Sequence, residues 1–148
     1  MAEKRWAVIP TNIGWKRDGS NPMGAGVALA ASELYPDLAT WYGDHCQKYG
    51  ANTAVCPYYE GNLILFPTKP LNVRQPWMSW QSPSDIDLIA RGVKQLQKLG
   101  EILREKKLVF GEIALPLVGC GAGGLERAEV VPILKDGLDD RFVLLELT

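Results

Sequence analysis

The chain has 148 residues, of which 47% are hydrophobic and 22% charged, an ordinary globular mixture with enough apolar side chains for a sizeable core. Its 16 basic and 17 acidic residues leave a formal net charge of −1, which excludes a general nucleic-acid coat, since that needs a basic excess. A local basic edge at Lys16, Arg17, Lys69 and Arg74 is still compatible with that balance.

In chain order, the apolar run WAVIP at 6–10 predicts a short buried strand. The stretch TNIGWKRDGSNP follows as a loop of unusual length. Asn21 then suits an N-cap, with Pro22 at the first position of a helix running through 23–34 and ending before Pro36. A second helix over 37–49 closes on Gly50. Residues 53–59 and 62–68 read as two strands joined by a turn at Glu60 and Gly61.

After the loop KPLNVRQPWMSWQSP, Ser84 is the expected N-cap of a long helix. Ile86, Ile89, Val93, Leu96, Leu99 and Leu103 recur along it at three- and four-residue steps. Arg104, Lys106 and Lys107 in its last turn match the helix dipole. LVFGEIALPLVG at 108–119 predicts a strand with Gly111 as a bulge, ERAEVVPILKDGL a helix, and RFVLLEL a closing strand. Strands and helices therefore alternate, with one hairpin, which predicts an α/β fold of mixed sheet covered on both faces by helices. No repeat or linker divides the chain, so 1–148 is expected to form one domain.

Cys46, Cys56 and Cys120 are odd in number and lack CxxC spacing, which argues against a disulfide framework or zinc site and for a reducing compartment. No apolar run approaches the roughly 20 residues of a membrane span, and MAEKRW lacks the apolar core of a secretory leader. The expectation is a soluble cytoplasmic protein, a monomer without membrane attachment.

Two strand-to-helix loops are dense in glycine: GSNPMGAGVA at 19–28 and GCGAGGLE at 119–126. In open α/β sheets, ligands gather where such loops meet at the carboxyl ends of strands. Bare amides at helix N-termini and in glycine turns favour phosphates, so two such loops facing one cleft would suit a diphosphate. The alternative is that small residues merely let helix and sheet pack closely. Neither stretch has the GxxxxGK[ST] of a P-loop or a strict GxGxxG fingerprint, which disfavours a triphosphatase or a dinucleotide dehydrogenase.

The ordered set VIPTN, NPMGAGVA, LILFPTK and IALPLVGCGAGGLE, spread over residues 6–148, resembles a macrodomain, the α/β/α module that binds ADP-ribose. It is most similar to the branch of terminal ADP-ribose protein glycohydrolases and DNA ADP-ribosyl glycohydrolase antitoxins, some of which use a catalytic lysine. The resemblance implies a three-layer fold with a mixed central sheet, and an ADP-ribosyl hydrolase whose catalytic residues are Lys69 and Asn12. It places Asn12 on the distal ribose, and Gly24, Ala25, Gly26 and Val27 around the diphosphate. Pro67 and Thr68 lead into Lys69, and Gly119, Cys120, Gly121, Ala122, Gly123, Gly124 and Leu125 form the second phosphate loop. The implied partner is ADP-ribose or an ADP-ribosylated macromolecule, DNA included; no cofactor and no metal is expected. Lysine chemistry is reasonable here, because the anomeric carbon can open to an aldehyde that a neutral amine attacks.

The chain departs from the family pattern in three places. Only five residues precede Trp6, too few for the earlier strand and the acidic residue that reads adenine; Trp77 and Trp80 could instead offer an aromatic platform for a base. The second loop has no aspartate, its nearest acid being Glu126, and Pro70 restricts Lys69 to extended conformations. Other candidates have blander readings. His45 reads as a surface histidine, Cys120 as small filler rather than a nucleophile, Asp18 as an ordinary loop charge, and Asp85 and Asp87 as first-turn acids of a helix. Two alternatives to the hydrolase stay open: a non-catalytic ADP-ribose reader, and a phosphatase acting on ADP-ribose 1″-phosphate.

Overall fold

Side chains alternate between the two faces of a strand, and the first strand uses that alternation to feed two separate cores. In the computed structural model, which describes residues 5–109, 111–120 and 123–145, strand β1 spans Trp6–Asn12. Its Trp6 and Val8 enter one hydrophobic cluster, while Ile9, with Ala7 packed beside it, enters another. Strand β3 (Leu63–Lys69) repeats the pattern, with Ile64 and Phe66 on the first side and Leu63 and Leu65 on the second. Strands β2 (Cys56–Tyr58), β4 (Ile113–Pro116) and β5 (Phe142–Leu145) complete a sheet of order β2-β3-β1-β4-β5 among the described residues. Only β2 runs antiparallel to its neighbour.

Helices α1 (Gly26–Leu34) and α2 (Leu38–Tyr49) cover the second side through Ala31, Leu38, Tyr42 and Cys46. Helices α3 (Ile86–Glu105) and α4 (Arg127–Gly137) cover the first, where Ile89, Val93, Leu96 and Leu103 meet Val130 and Leu134. This is the expected mixed α/β sheet between two helical layers. Because β1 leads to a helix on one face and its neighbours β3 and β4 lead to helices on the other, a crevice opens at the carboxyl end of β1.

Several boundaries differ from the sequence expectation. Helix α1 starts at Gly26 with Ala25 as N-cap, not at Asn21; the Asn21 side chain is spent on the preceding loop. Helix α3 is capped by Asp85, whose carboxylate accepts from the amides of Asp87 and Leu88, not by Ser84. The strand expected over 108–119 is confined to Ile113–Pro116. Leu108 instead serves the end of α3: its amide donates to Leu103, and its carbonyl accepts from Trp6 Nε1 at 2.9 Å. Gly111 lies in a bend outside the strand. The first hairpin strand shortens to Cys56–Tyr58 because 50–52 form a 3-10 turn, to which the Thr53 hydroxyl donates.

Candidate active and ligand-binding site

The floor of the crevice is made by the ends of β1 and β3. These strands pair residue for residue up to Thr11 and Pro67, and then Asn12 pairs with Lys69, so Thr68 is skipped. The skipped residue is buried: its hydroxyl donates to the Thr11 carbonyl at 3.2 Å, and its carbonyl accepts from the Asp85 amide at 2.9 Å. The skip brings Asn12 and Lys69 side by side at the strand ends. Lys69 lies in extended strand, as its proline neighbour requires. Its Nζ donates to the Trp80 carbonyl at 2.8 Å.

Asn12 is almost buried and works as a junction. Its Oδ1 accepts from the Gly14 amide at 3.0 Å and from Asn21 Nδ2 at 3.2 Å, while its Nδ2 donates to the Pro22 carbonyl at 2.8 Å. Asn21, only 1% exposed, adds bonds from Nδ2 to the carbonyls of Asn12 and Gly14 at 3.0 and 2.8 Å. The long 11–25 loop is thus held by two interlocked amides. It delivers a bare helix start: α1 has no side-chain cap and no acid in its first turn, so its free amides favour an anion. A side chain built at Gly24 or Gly26 would meet nothing within 4 Å, and Gly26 has φ +58°.

The opposite wall is glycine-rich for a different reason. A Cβ at Gly119 would lie 2.5 Å from Ile89 Cδ1 and 3.0 Å from Leu125 Cδ1, and one at Gly123 would collide with Ser84 Oγ. Ser84 also donates its amide to the Gly123 carbonyl at 2.8 Å, which presses this loop onto the start of α3. Here close packing accounts for the missing side chains. Burial pushes the Cys120 thiol up from its usual range, which makes it a poor nucleophile at neutral pH.

Between the walls lies a cleft of about 800 Å³. Of the residues singled out from the sequence, Asn12, Gly24, Ala25, Gly26, Val27, Thr68, Lys69, Gly119, Cys120 and Gly123 line it. Pro67 is buried within β3, and neither it nor Gly124 or Leu125 reaches the cleft. Gly121 and Ala122 lie outside the described residues. Trp80 lines the rim, whereas Trp77 is exposed beside it on the 3-10 turn Pro76–Gln81.

His45 is away from the cleft, half-buried between Trp41, Tyr42 and Tyr49 rather than on an open surface. Asp18 accepts from both the amide and the hydroxyl of Ser20, which holds its carboxyl below the usual range and fixes the loop. Two wall residues went unread as such in the sequence, Asn21 and Ser84. Each looked like a helix cap, and their partners are loop carbonyls that no local pattern announces. Among the described residues, no group of three His, Cys, Asp or Glu side chains could hold a metal ion, and no helix is long and apolar enough to cross a membrane.

No protein-family model matches the chain. A DNA ADP-ribosyl glycohydrolase of Thermus aquaticus is 30% identical over 127 residues, which are 79% of this chain and 31% of that protein; the chain thus spans about a third of that relative's length. The structure resembles the macrodomain of Thermus aquaticus DarG with a TM-score of 0.68 and 26% identity, covering 99% of this chain and 91% of that one. It also shares the fold of Thermosipho africanus DarTG in complex with ADP-ribose, with a TM-score of 0.69 and 21% identity over 99% of this chain and 39% of that one. The chain has the fold of the macrodomains. Within that class it resembles the DarG macrodomains and the DNA ADP-ribosyl glycohydrolases.

Proposed function

We propose that the cleft binds ADP-ribose and that the protein removes ADP-ribosyl groups from a macromolecular acceptor, DNA or protein, with Lys69 as nucleophile. The observation that carries this reading is the pairing of Asn12 with Lys69 at the floor of a cleft whose first wall is an uncapped helix start. The α1 amides and the 119–124 loop take the diphosphate between them. Asn12 has one N–H left after its bond to Pro22, directed to a hydroxyl of the distal ribose. The Lys69 amine attacks the anomeric carbon of that ribose, and the bond to the acceptor breaks, the acceptor leaving with a proton. The ribose ring then opens: the C1″–O4″ bond breaks, O4″ takes the proton from Nζ, and an imine forms between C1″ and Nζ. Water hydrolyses that imine, releasing ADP-ribose, whose ring recloses, and restoring the amine. The resemblance to a glycohydrolase of 30% identity supports the reaction class.

The test incubates the protein and its Lys69→Ala variant with an ADP-ribosylated oligonucleotide, an ADP-ribosylated protein and ADP-ribose 1″-phosphate. The parent releases ADP-ribose from a macromolecular substrate. The variant loses about 10³-fold or more of that rate and keeps its ADP-ribose affinity by calorimetry within about threefold. Release by Lys69→Ala at the parent rate overturns the lysine mechanism.

One observation favours a second reading, a reader that binds without turnover: among the described residues, no carboxylate lines the cleft to serve as a general base. Flat progress curves on all three substrates, with ADP-ribose bound, decide for it.

A further inference from the structure

Charge is unevenly spread along the chain. Residues 18–68 hold Asp18, Glu33, Asp37, Asp44 and Glu60 against a single Lys or Arg, Lys48, although the whole chain carries a net charge of only −1. Glu33 is on α1, Asp37 and Asp44 are at the start and middle of α2, and Glu60 is in the turn after β2. All four are exposed, and among the described residues no Lys or Arg forms an ion pair with them. None of them lines the cleft.

The same segment carries a set of touching rings. Tyr35 meets Tyr58 edge-on with 5.8 Å between centroids, and Trp41 meets Tyr58 at 5.1 Å. A side chain at Gly61 would lie 2.7 Å from the Tyr35 ring, so the turn after β2 sits directly on it. The Tyr58 hydroxyl donates to Glu60 Oε2 at 2.7 Å. Burial, and then the carboxylates of Glu60 and Asp37, push that hydroxyl up to about 12. Two carboxylates therefore stand beside three rings. A ring face is electron-rich and attracts cations, and the chain already shows this chemistry on the same helix, with Lys48 Nζ 5.4 Å from the Tyr49 centroid. Trp41 is 38% exposed, and among the described residues no cation sits over it.

Three observations narrow the guest. The acidic surroundings repel nucleic acid and anionic lipid. The outer edge of β2 offers no free amide on either side of Cys56, because Pro57 has none and Val55 donates to Gln95 Oε1 at 3.0 Å, so a partner cannot add a strand there. Leu34, 71% exposed, and Tyr59, 52% exposed, flank Tyr35 and Tyr58 in the chain, and covering them takes apolar side chains as well as a cation. We propose that Tyr35 and Trp41, with Asp37 and Glu60, form a docking surface for a partner polypeptide segment that alternates basic and apolar residues, a Lys or Arg side chain of it lying on the Trp41 indole beside the two carboxylates. The surface is separate from the cleft and depends on neither ADP-ribose binding nor the hydrolase reading.

The test titrates the full chain into dye-labelled peptides and follows their anisotropy. The probes are a peptide alternating lysine with leucine, its counterparts with glutamate or serine in place of lysine, and spermidine as a competitor. Calorimetry with ADP-ribose runs in parallel. The lysine peptide binds at least about tenfold more tightly than the other two, and added salt weakens it. Trp41→Ala weakens that binding by about twofold to 30-fold. Because Trp41 also packs on Tyr58, Glu60→Gln and Asp37→Asn provide the variants that keep the fold; Glu60→Gln retains an acceptor for the Tyr58 hydroxyl. Each weakens the lysine peptide by about 1.5-fold to fivefold. All three variants keep the ADP-ribose affinity of the parent.

No binding of the lysine peptide, equal binding of the serine peptide, or affinity unchanged in Trp41→Ala and Glu60→Gln overturns the proposal. So does displacement of the peptide by spermidine at equal concentration, which makes the guest a small polyamine. Sedimentation of the parent alone supplies the last arm: self-association that Glu60→Gln abolishes assigns the surface to a second copy of the chain and overturns the separate partner. A parent that binds the peptide but not ADP-ribose leaves the docking surface standing and removes the hydrolase reading instead.

Discussion

A methyl group added at Gly24 would meet no atom within 4 Å, whereas one added at Gly119 would stand 2.5 Å from Ile89 Cδ1 on a residue with φ +80°. Both positions sit in similar-looking glycine stretches, and the sequence alone reads them alike, because Ile89 lies on a different element. Gly24→Val is therefore expected to leave stability within about 1 kcal/mol, while weakening ADP-ribose binding at least about tenfold through the space it takes from the ligand. Gly119→Ala is expected to cost about 2–4 kcal/mol, from the left-handed backbone and the overpacked contact together. Urea denaturation and calorimetry on the two variants separate the cases. Equal losses of stability would show that the first loop is also built by packing.

Among the elements, periodic signals were legible and caps were not. The three- and four-residue spacing from Ile86 to Leu103 is borne out by α3, whose buried residues include Ile89, Val93, Leu96 and Leu103. Gly50 closes α2 as expected. Ser84 and Asp85 are both good capping residues, and the choice between them depends on a tertiary contact: the Ser84 amide is taken by the Gly123 carbonyl, which leaves the next residue to start the helix. Asp85→Ala is expected to lower stability by about 1 kcal/mol. Ser84→Ala is expected to be neutral or to stabilise by about 1 kcal/mol, since the Ser84 hydroxyl is buried without a partner among the described residues. Thermal melts of the two variants check the pair, and a larger loss from Ser84→Ala than from Asp85→Ala would contradict the assignment. The same logic explains the misread start of α1, where Asn21 bonds backward to Asn12 and Gly14.

For the molecule as a whole, the pH response follows from the titratable groups whose surroundings shift them, by burial or by hydrogen bonding. Burial lowers the pKa of His45 from its usual 6.5. The unfolded chain therefore binds a proton at higher pH than the folded one, and the stability contributed by neutral His45 is present above about pH 6.5 and lost as pH falls through that value. Asp18 and Asp139, held below 3.8 chiefly by side-chain hydrogen bonds to Ser20 and Gln97, contribute above that value and lose their contribution as pH falls below it. Between about pH 5 and 7, His45 is thus the group that responds. The urea midpoint of the parent is expected to fall across that interval and that of His45→Gln to stay nearly flat; parallel curves would refute it. Burial holds the thiols of Cys46 and Cys56 at about 12, so neither ionises in this range.

At this scale the alternation of strands and helices was enough to read a layered α/β architecture. The rings around His45, from Trp41, Tyr42 and Tyr49, lie on α2 itself at three- and four-residue steps, a local spacing legible in the sequence. The packing of Trp41 on Tyr58 of β2 was not, because that residue lies on another element.

The two banks of the cleft have separate foundations. Ile13, Met23 and Ala28 root the first in the α1–α2 side, and Val118, Cys120 and Leu125 root the second in the α3–α4 side. Among the described residues, no hydrogen bond crosses from 22–29 to 117–125. A guest touching both banks would act as a clasp between walls that no hydrogen bond joins directly among the described residues, so occupancy would stiffen the whole body and raise its resistance to melting.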